Sequence, residues 1–216
     1  MLPSDLTLMS ADALSQAIHT KQVSCHEVMV ATLARIERVN PRFNAIVSLR
    51  DSDTLLAEAD ACDAELARGH SRGWMHGLPQ AIKDLANVAG LRTSLGSPLM
   101  RDFVPAEDGL MAARMKAAGC IVIGKTNTPE FGLGSHTFNE VFGPTRNAFD
   151  PNKSAGGSSG GAAVALAQRL LDMVMNFGGG AAGGPVKKAE ITVHKPNAPI
   201  IYEFDDVSVT VKAKRS

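Results

Sequence analysis

The sequence predicts an α/β fold in which a mixed sheet is flanked by helices, followed by a short β-rich C-terminal tail. The main observation is that helical segments alternate along the chain with short apolar runs typical of buried strands. Two of these runs, "LPQAIKDL" (78–85) and "CIVIGKTN" (120–127), end in polar residues. A glycine-rich segment, "KSAGGSSGGAAVALAQRL" (153–170), then leads directly into helix-forming sequence. This alternation favours a layered α/β domain.

Helices are predicted from caps and from apolar spacing. Ser24 and Glu27 form an S-x-x-E capping box, a pattern that marks a helix N-terminus. Apolar residues at helical spacing mark one face of the next helix: Leu55, Ala59, Cys62 and Leu66. The segment "GLMAARMKAAG" (109–119) predicts a helix that ends at a glycine.

The two apolar runs predict buried strands. The first has Lys83 near its end, as expected where a buried strand reaches the edge of a sheet. The second is rich in β-branched residues, which favour strands.

The glycine-rich segment could be a flexible linker, a cradle for an anion or part of an active site. Because helix-forming residues follow it at once, backbone N–H groups and the positive end of the helix dipole meet at one spot. This junction favours a functional loop. A P-loop fits poorly, since the GK[ST] ending is missing after the glycines.

Composition argues against several classes of function. The 216 residues include 22 basic and 22 acidic side chains, so no net charge points to nucleic acid or to an anionic membrane. The cysteines, Cys25, Cys62 and Cys120, lack zinc-site and C-x-x-C spacing and predict buried thiols in a reducing compartment. The sequence shows no secretion signal and no apolar run of the ~18 residues that a membrane span needs. We therefore expect a cytoplasmic protein without a metal or cofactor.

Lys83, Ser158 and Ser159 are the residues best suited to chemistry. A neutral lysine can serve as the base for a serine nucleophile, and burial can lower a lysine pKa by up to roughly 3–5 units. Two alternatives stay open at this point. Lys83 can be an exposed lysine at a strand end, and the serines can be N-caps of the helix that follows them.

Three segments together resemble the amidase signature family, hydrolases of amide C–N bonds: "GLPQAIKDLANVAGLRTSLGS", "GKTNTPEFGLGS" and "NAFDPNKSAGGSSGGAAVALA". The resemblance extends from about residue 7 to residue 171, in the family's order. It implies a triad of a lysine, a serine held in a cis peptide and a second serine as nucleophile, acting on a small-molecule amide without a cofactor. Lys83 is then the lysine and Ser158 the cis-serine. The resemblance further implies a substrate loop around them: Gly156, Gly157, Ser159 and Gly160.

The resemblance also implies a nucleophile at position 182, and this chain has Ala182 there. No serine occurs between Ser159 and Ser208. We therefore expect an amidase-signature portion over residues 1–171 that is truncated and inactive, followed by a glycine-rich junction over 172–185. A sheet that lacks the family's remaining cover is expected to remain partly uncovered and to support self-association.

The tail over residues 186–216 has a different pattern. Valine and isoleucine alternate with polar residues around 191–193 and 207–211, which predicts two half-buried strands, while 195–204 with its two prolines predicts a loop. The tail resembles the C-terminus of dihydroneopterin aldolases, enzymes of the folate pathway, and this implies that Lys195 is a catalytic lysine. The alternative for Lys195 is a solvated lysine on a surface hairpin. For the function of the whole chain, the alternative to an amide hydrolase is a non-catalytic fragment or fusion product with this aldolase-like tail.

Overall fold

The computed structural model describes residues 5–176, 189–195, 198–205 and 208–212, with side chains described over residues 5–173. Its α-helices are α1 (Ala11–His19), α2 (Cys25–Phe43), α3 (Ser52–Ala67), α4 (Leu110–Ala117) and α5 (Gly160–Ala167). Short 3-10 helices cover Leu6–Leu8, Pro98–Met100 and Glu130–Gly132. None of these helices is both long enough and apolar enough to cross a membrane.

A mixed sheet lies at the centre of the α/β portion, as the sequence predicts. Its strands are β1 (Ile46–Val47), β2 (Pro79–Lys83) and β3 (Ile121–Thr126), in the order β1-β3-β2. Strand β2 runs parallel to β3, and β1 runs antiparallel to it. The register places Lys83 beside Thr126, so the carboxyl ends of both parallel strands meet at one edge of the sheet.

The α2 N-terminus confirms the predicted capping box. The Ser24 hydroxyl accepts the Glu27 N–H at 3.0 Å, and the Glu27 carboxylate accepts the Ser24 N–H at 2.8 Å. Asp63 of α3 adds a second cap by accepting the backbone N–H groups of Cys25 and His26. Backbone donors that the helix itself leaves unpaired are therefore satisfied.

The predicted face of α3 is confirmed as well. Its buried residues are the four that the spacing selected: Leu55, Ala59, Cys62 and Leu66. The chain turns away two residues after the helix, at Gly69, whose φ of 79° is a left-handed conformation that favours glycine.

The sheet is covered, which corrects one expectation from the sequence. Every residue of β1, β2 and β3 is buried. Helix α2 contacts β2, α3 contacts β3, and α5 contacts β1 and β3. The expectation of an uncovered sheet is therefore wrong for these strands, while self-association of the chain stays a prediction. The most exposed large apolar side chains of the described residues lie outside the sheet and the α-helices: Phe149, Leu99 and Leu133.

The C-terminal strands form a second, antiparallel sheet in the order β4-β5-β6-β7. They are β4 (Val174–Asn176), β5 (Ala189–Lys195), β6 (Ala198–Asp205) and β7 (Ser208–Lys212). The predicted loop over 195–204 is wrong, because most of it is β6. Its β-branched and aromatic residues favour a strand, and Pro199 lies at the end of β6 next to the β5–β6 connection. Strand β4 also lies inside the predicted junction 172–185.

Candidate active site

Lys83 and the two serines of the glycine-rich loop lie together at the edge of the sheet. Lys83 is the last residue of β2, and Ser158 and Ser159 immediately precede α5. The Lys83 Nζ lies 3.2 Å from the Ser158 Oγ and 2.8 Å from the Ser159 Oγ. The chain thus brings into hydrogen-bond contact side chains that are 75 and 76 positions apart.

The environment of Lys83 decides between the alternatives left open by the sequence. Only 7% of Lys83 is exposed, so it is not a solvated lysine at a strand end. Burial lowers the pKa of its amine, because the ammonium form loses solvation. Ser159 occupies the N-cap position of α5, but its side chain makes no capping hydrogen bond. The serine hydroxyls lie beside a base with a reduced affinity for protons.

Threonines hold the loop that carries the serines. The Thr137 hydroxyl donates to the Gly157 carbonyl at 2.7 Å and accepts the Gly160 N–H at 2.8 Å. The Thr128 hydroxyl donates to the Ser158 carbonyl at 3.2 Å. A single side chain, that of Thr137, therefore fixes the backbone on both sides of the two serines.

The expected cis peptide is absent from the part of the chain that the structure describes, where the bond preceding Ser158 is trans. The trans form of a non-proline bond is lower in free energy by about 3–4 kcal/mol. Gly157 instead takes up the turn with a φ of 78°, a region in which glycine is not strained. Ser158 reaches Lys83 through this turn.

The glycines of the loop differ in what their missing side chains permit. Gly156 is exposed and pairs with His136 in a β-bridge, with open space where a Cβ would lie. At Gly160 a Cβ would lie 2.3 Å from the Thr137 Oγ1, and at Gly161 it would lie 2.4 Å from the Asn127 backbone nitrogen. The last two glycines therefore allow α5 to pack directly on the segment that follows β3.

A buried amide network lies beneath the loop, and the sequence reasoning assigned it no role. The Asn127 amide donates to the Gly143 carbonyl and to the Thr145 hydroxyl at 3.1 and 3.0 Å. Its oxygen accepts the Thr128 N–H at 3.0 Å and the Asn139 amide at 2.7 Å. The sequence feature that could have indicated this network is the pair of polar residues directly after the buried strand β3. They lie at the same edge of the sheet as Lys83.

A buried charge pair supports the turn that follows Lys83. Lys125 is fully buried and donates to the Ala86 carbonyl, and Asp84 accepts the backbone N–H and the hydroxyl of Ser94. Burial lowers the pKa of Lys125 to about 8 and raises that of Asp84, while the attraction between the two charges opposes both shifts. The sequence reasoning missed this pair too.

Two residues named from the sequence have no described side chain here. Ala182 lies outside the described residues, and Lys195 is the last residue of β5, of which only the backbone is described. The three cysteines are free and buried, as expected. Within residues 5–173, His, Cys, Asp and Glu form no group of three or more that could hold a metal ion.

The chain matches known proteins over the region that carries Lys83 and the glycine-rich loop. The family model described as Amidase matches residues 27–179. The chain belongs to the amidase family. Its α/β fold is that of the amidase signature enzymes, because solved structures of that group superpose on it: a peptide amidase from Stenotrophomonas maltophilia is 31% identical, with a TM-score of 0.70 over 77% of this chain and 35% of that one.

Curated amidase relatives are similar over most of the chain. A glutamyl-tRNA(Gln) amidotransferase subunit of Bdellovibrio bacteriovorus is 40% identical over 167 residues, which is 77% of this chain and 34% of that protein. The protein of the same name from Chromobacterium violaceum is 37% identical over 204 residues, 94% of this chain and 42% of that protein. The chain thus spans about a third of the length of the first of these relatives. In a chain of 216 residues, the longer match extends past residue 200 wherever it starts.

Proposed function

We propose that Lys83 and Ser158 are part of a site for hydrolysis of amide C–N bonds, with a small-molecule amide as the substrate. The observation that supports this most directly is the contact between a buried lysine of lowered pKa and the Ser158 hydroxyl. The family assignment supports the same chemistry. The relatives are named as a peptide amidase and as part of an amidotransferase, and both names concern amide groups.

The proposed roles follow from the geometry. The neutral Lys83 amine takes a proton from the Ser158 hydroxyl, which in turn takes one from the attacking group. The same path, run in reverse, delivers the proton to the departing nitrogen. Because Lys83 ends a buried strand and the Thr128 hydroxyl holds the Ser158 carbonyl, the relay needs little rearrangement before the reaction. Gly156, Gly157 and Gly160 shape the loop along which the substrate would lie.

The attacking hydroxyl is the missing part of this proposal. The family position for it is Ala182, and no serine occurs between Ser159 and Ser208. Without a nucleophile, a site of this type keeps only what binding and polar groups contribute. We therefore propose that this chain, as it stands, does not turn over amides by the two-serine route.

The proposed base can be tested by its titration. Reductive ¹³C-methylation of the intact chain gives lysine resonances, and the one absent from Lys83→Met belongs to Lys83. We expect its midpoint to lie below the ordinary value of about 10.4, because burial disfavours the ammonium form. An ordinary midpoint would remove the base from the proposal.

The lack of turnover can be tested directly. Release of ammonia from primary amides and of nitroaniline from acyl nitroanilides is expected to equal the buffer rate, and Lys83→Met is expected to change nothing. Turnover that is lost in both Lys83→Met and Ser158→Ala would show that another group supplies the nucleophile. The inactive part of the proposal would then be wrong.

The proposal also covers the C-terminal tail and the cellular location of the protein. The free, buried thiols are compatible with a reducing, cytoplasmic compartment. The long match to the Chromobacterium violaceum protein supports an origin of much of the tail within the amidase family. The aldolase-like role of Lys195 and the interpretation of the chain as a fusion product stay predictions from the sequence.

A further inference from the structure

We propose that Ser159, not a residue beyond α5, is the nucleophile available to Lys83 in this chain, and that it is acylated or phosphonylated by activated electrophiles. The inference rests on the proposed function in one respect, which is that Lys83 acts as the base. It goes beyond that function because it gives a chemical role to the second serine of the loop. It concerns a single covalent step and does not require turnover.

Distance favours Ser159 over its neighbour. The Lys83 Nζ lies 2.8 Å from the Ser159 Oγ, against 3.2 Å for the Ser158 Oγ. A general base must lie within about 2.6–3.2 Å of the group whose proton it takes, and the Ser159 contact is near the middle of that range. Lys83 can therefore take the Ser159 proton directly, without Ser158 as a relay.

Ser159 is accessible from solvent. It is half-buried, like Ser158, and the nearby Gly156 and Gly157 are exposed, so an electrophile can approach along the glycines. The base is almost fully buried beneath the hydroxyl, which keeps its amine away from solvent. The arrangement is a protected base under an accessible hydroxyl, as a serine–lysine dyad requires.

The position of Ser159 at the start of α5 contributes in a further way. Its carbonyl accepts the Ala163 N–H at 3.0 Å, which places the residue at the N-cap, but its hydroxyl makes no capping bond. The same hydroxyl accepts a hydrogen bond from the Lys83 Nζ at 2.8 Å. The positive end of the α5 dipole favours the negative charge that develops as the proton leaves the oxygen.

The step balances with a fluorophosphonate as the electrophile. The neutral Lys83 amine takes the proton of the Ser159 hydroxyl, the oxygen forms a bond to phosphorus, and the P–F bond breaks. Fluoride carries away the electron pair, and the proton on Lys83 returns to solvent. The product is a phosphonyl ester on Ser159, with no oxidation or reduction.

The test is labelling of the intact chain with a fluorophosphonate, followed by mass spectrometry of the protein and of its peptides. We expect one label per molecule, located on Ser159 in the unchanged sequence, so that the assignment does not depend on any variant. Lys83→Met is expected to slow labelling by roughly 100-fold or more, because it removes the base. The matched control is Ser154→Ala, a serine of the same loop outside the dyad, which should label at the rate of the unchanged chain.

The dependence on pH provides an independent readout. The labelling rate should rise with pH and level off at the Lys83 midpoint found by titration, because only the neutral amine accepts the proton. A purely structural role of Lys83 would not tie the rate to that midpoint.

A label located on Ser158, or no label at all although Lys83 titrates below its ordinary pKa, would overturn the inference and leave the proposed function standing. A Lys83 that titrates at the ordinary value would instead remove the proposed function. Labelling of Ser159 at the same rate in Lys83→Met would also overturn the inference, because the dyad would then have no part in the reaction.

Discussion

Gly161→Ala is expected to lower the free energy of unfolding by about 3 kcal/mol, near the upper end of the usual cost of overpacking. The added Cβ would lie 2.4 and 2.5 Å from the backbone nitrogen and oxygen of Asn127 and 2.9 Å from the Ala45 carbonyl oxygen. Two of these atoms are joined by a hydrogen bond, since the Asn127 N–H donates to the Ala45 carbonyl at 3.0 Å. Relief is possible only if α5 moves away from the sheet, and the serines before it would move with it.

The matched control is Gly156→Ala in the same loop. Its φ lies outside the left-handed region and a Cβ there meets open space, so we expect a change within about 0.5 kcal/mol. Urea denaturation followed by circular dichroism measures both variants. Equal stability of the two would mean that α5 does not pack on Asn127 as described.

Asn127→Ala is expected to cost about 3–5 kcal/mol, the range in which a buried polar network is broken. The side chain is fully buried and takes part in four hydrogen bonds. Alanine would leave the Gly143 carbonyl and the Thr128 N–H without these partners in a site closed to water. The loss would therefore exceed that of a single hydrogen bond.

The exposed Asn152 supplies the comparison for this second variant. Asn152→Ala should change the free energy of unfolding by no more than about 0.5 kcal/mol, as is usual at the surface. Both variants can be compared by thermal unfolding and by urea denaturation. If Asn127→Ala were no more destabilised than Asn152→Ala, the amide network would not hold the loop.

Much of the fold could be predicted because local rules decide it. The capping box of Ser24, the buried face of α3 and the two apolar strands each follow from a pattern within a few residues. These features need no knowledge of the rest of the chain. The roles of Lys83 and Ser158 in one site were implied instead by the resemblance of three motifs to the amidase signature family, and the structure brings the two side chains into contact.

Other features depend on contacts between distant segments, which no local pattern contains. The support of the loop by Thr137 and Asn127 becomes visible only when the segment after β3 folds under α5. The preference of Lys83 for Ser159 is a difference of a few tenths of an ångström between neighbouring serines. The segment 195–204, most of which forms β6, was predicted as a loop because it contains two prolines, and the strand-forming residues after them were given less weight. Pro199 lies near the start of β6, close to the β5–β6 connection, where a strand tolerates proline.

The large sequence separation between Lys83 and the serine loop affects how folding of the chain can be measured. Lys83 is separated from Ser158 and Ser159 by 75 and 76 positions in the sequence. An unfolded or partly synthesised chain therefore holds an ordinary, fully protonated lysine and two unreactive alcohols. Reactivity arises only in molecules that have closed the whole α/β core. A covalent probe of the loop would count folded molecules one by one, in a mixture where optical signals report only the average.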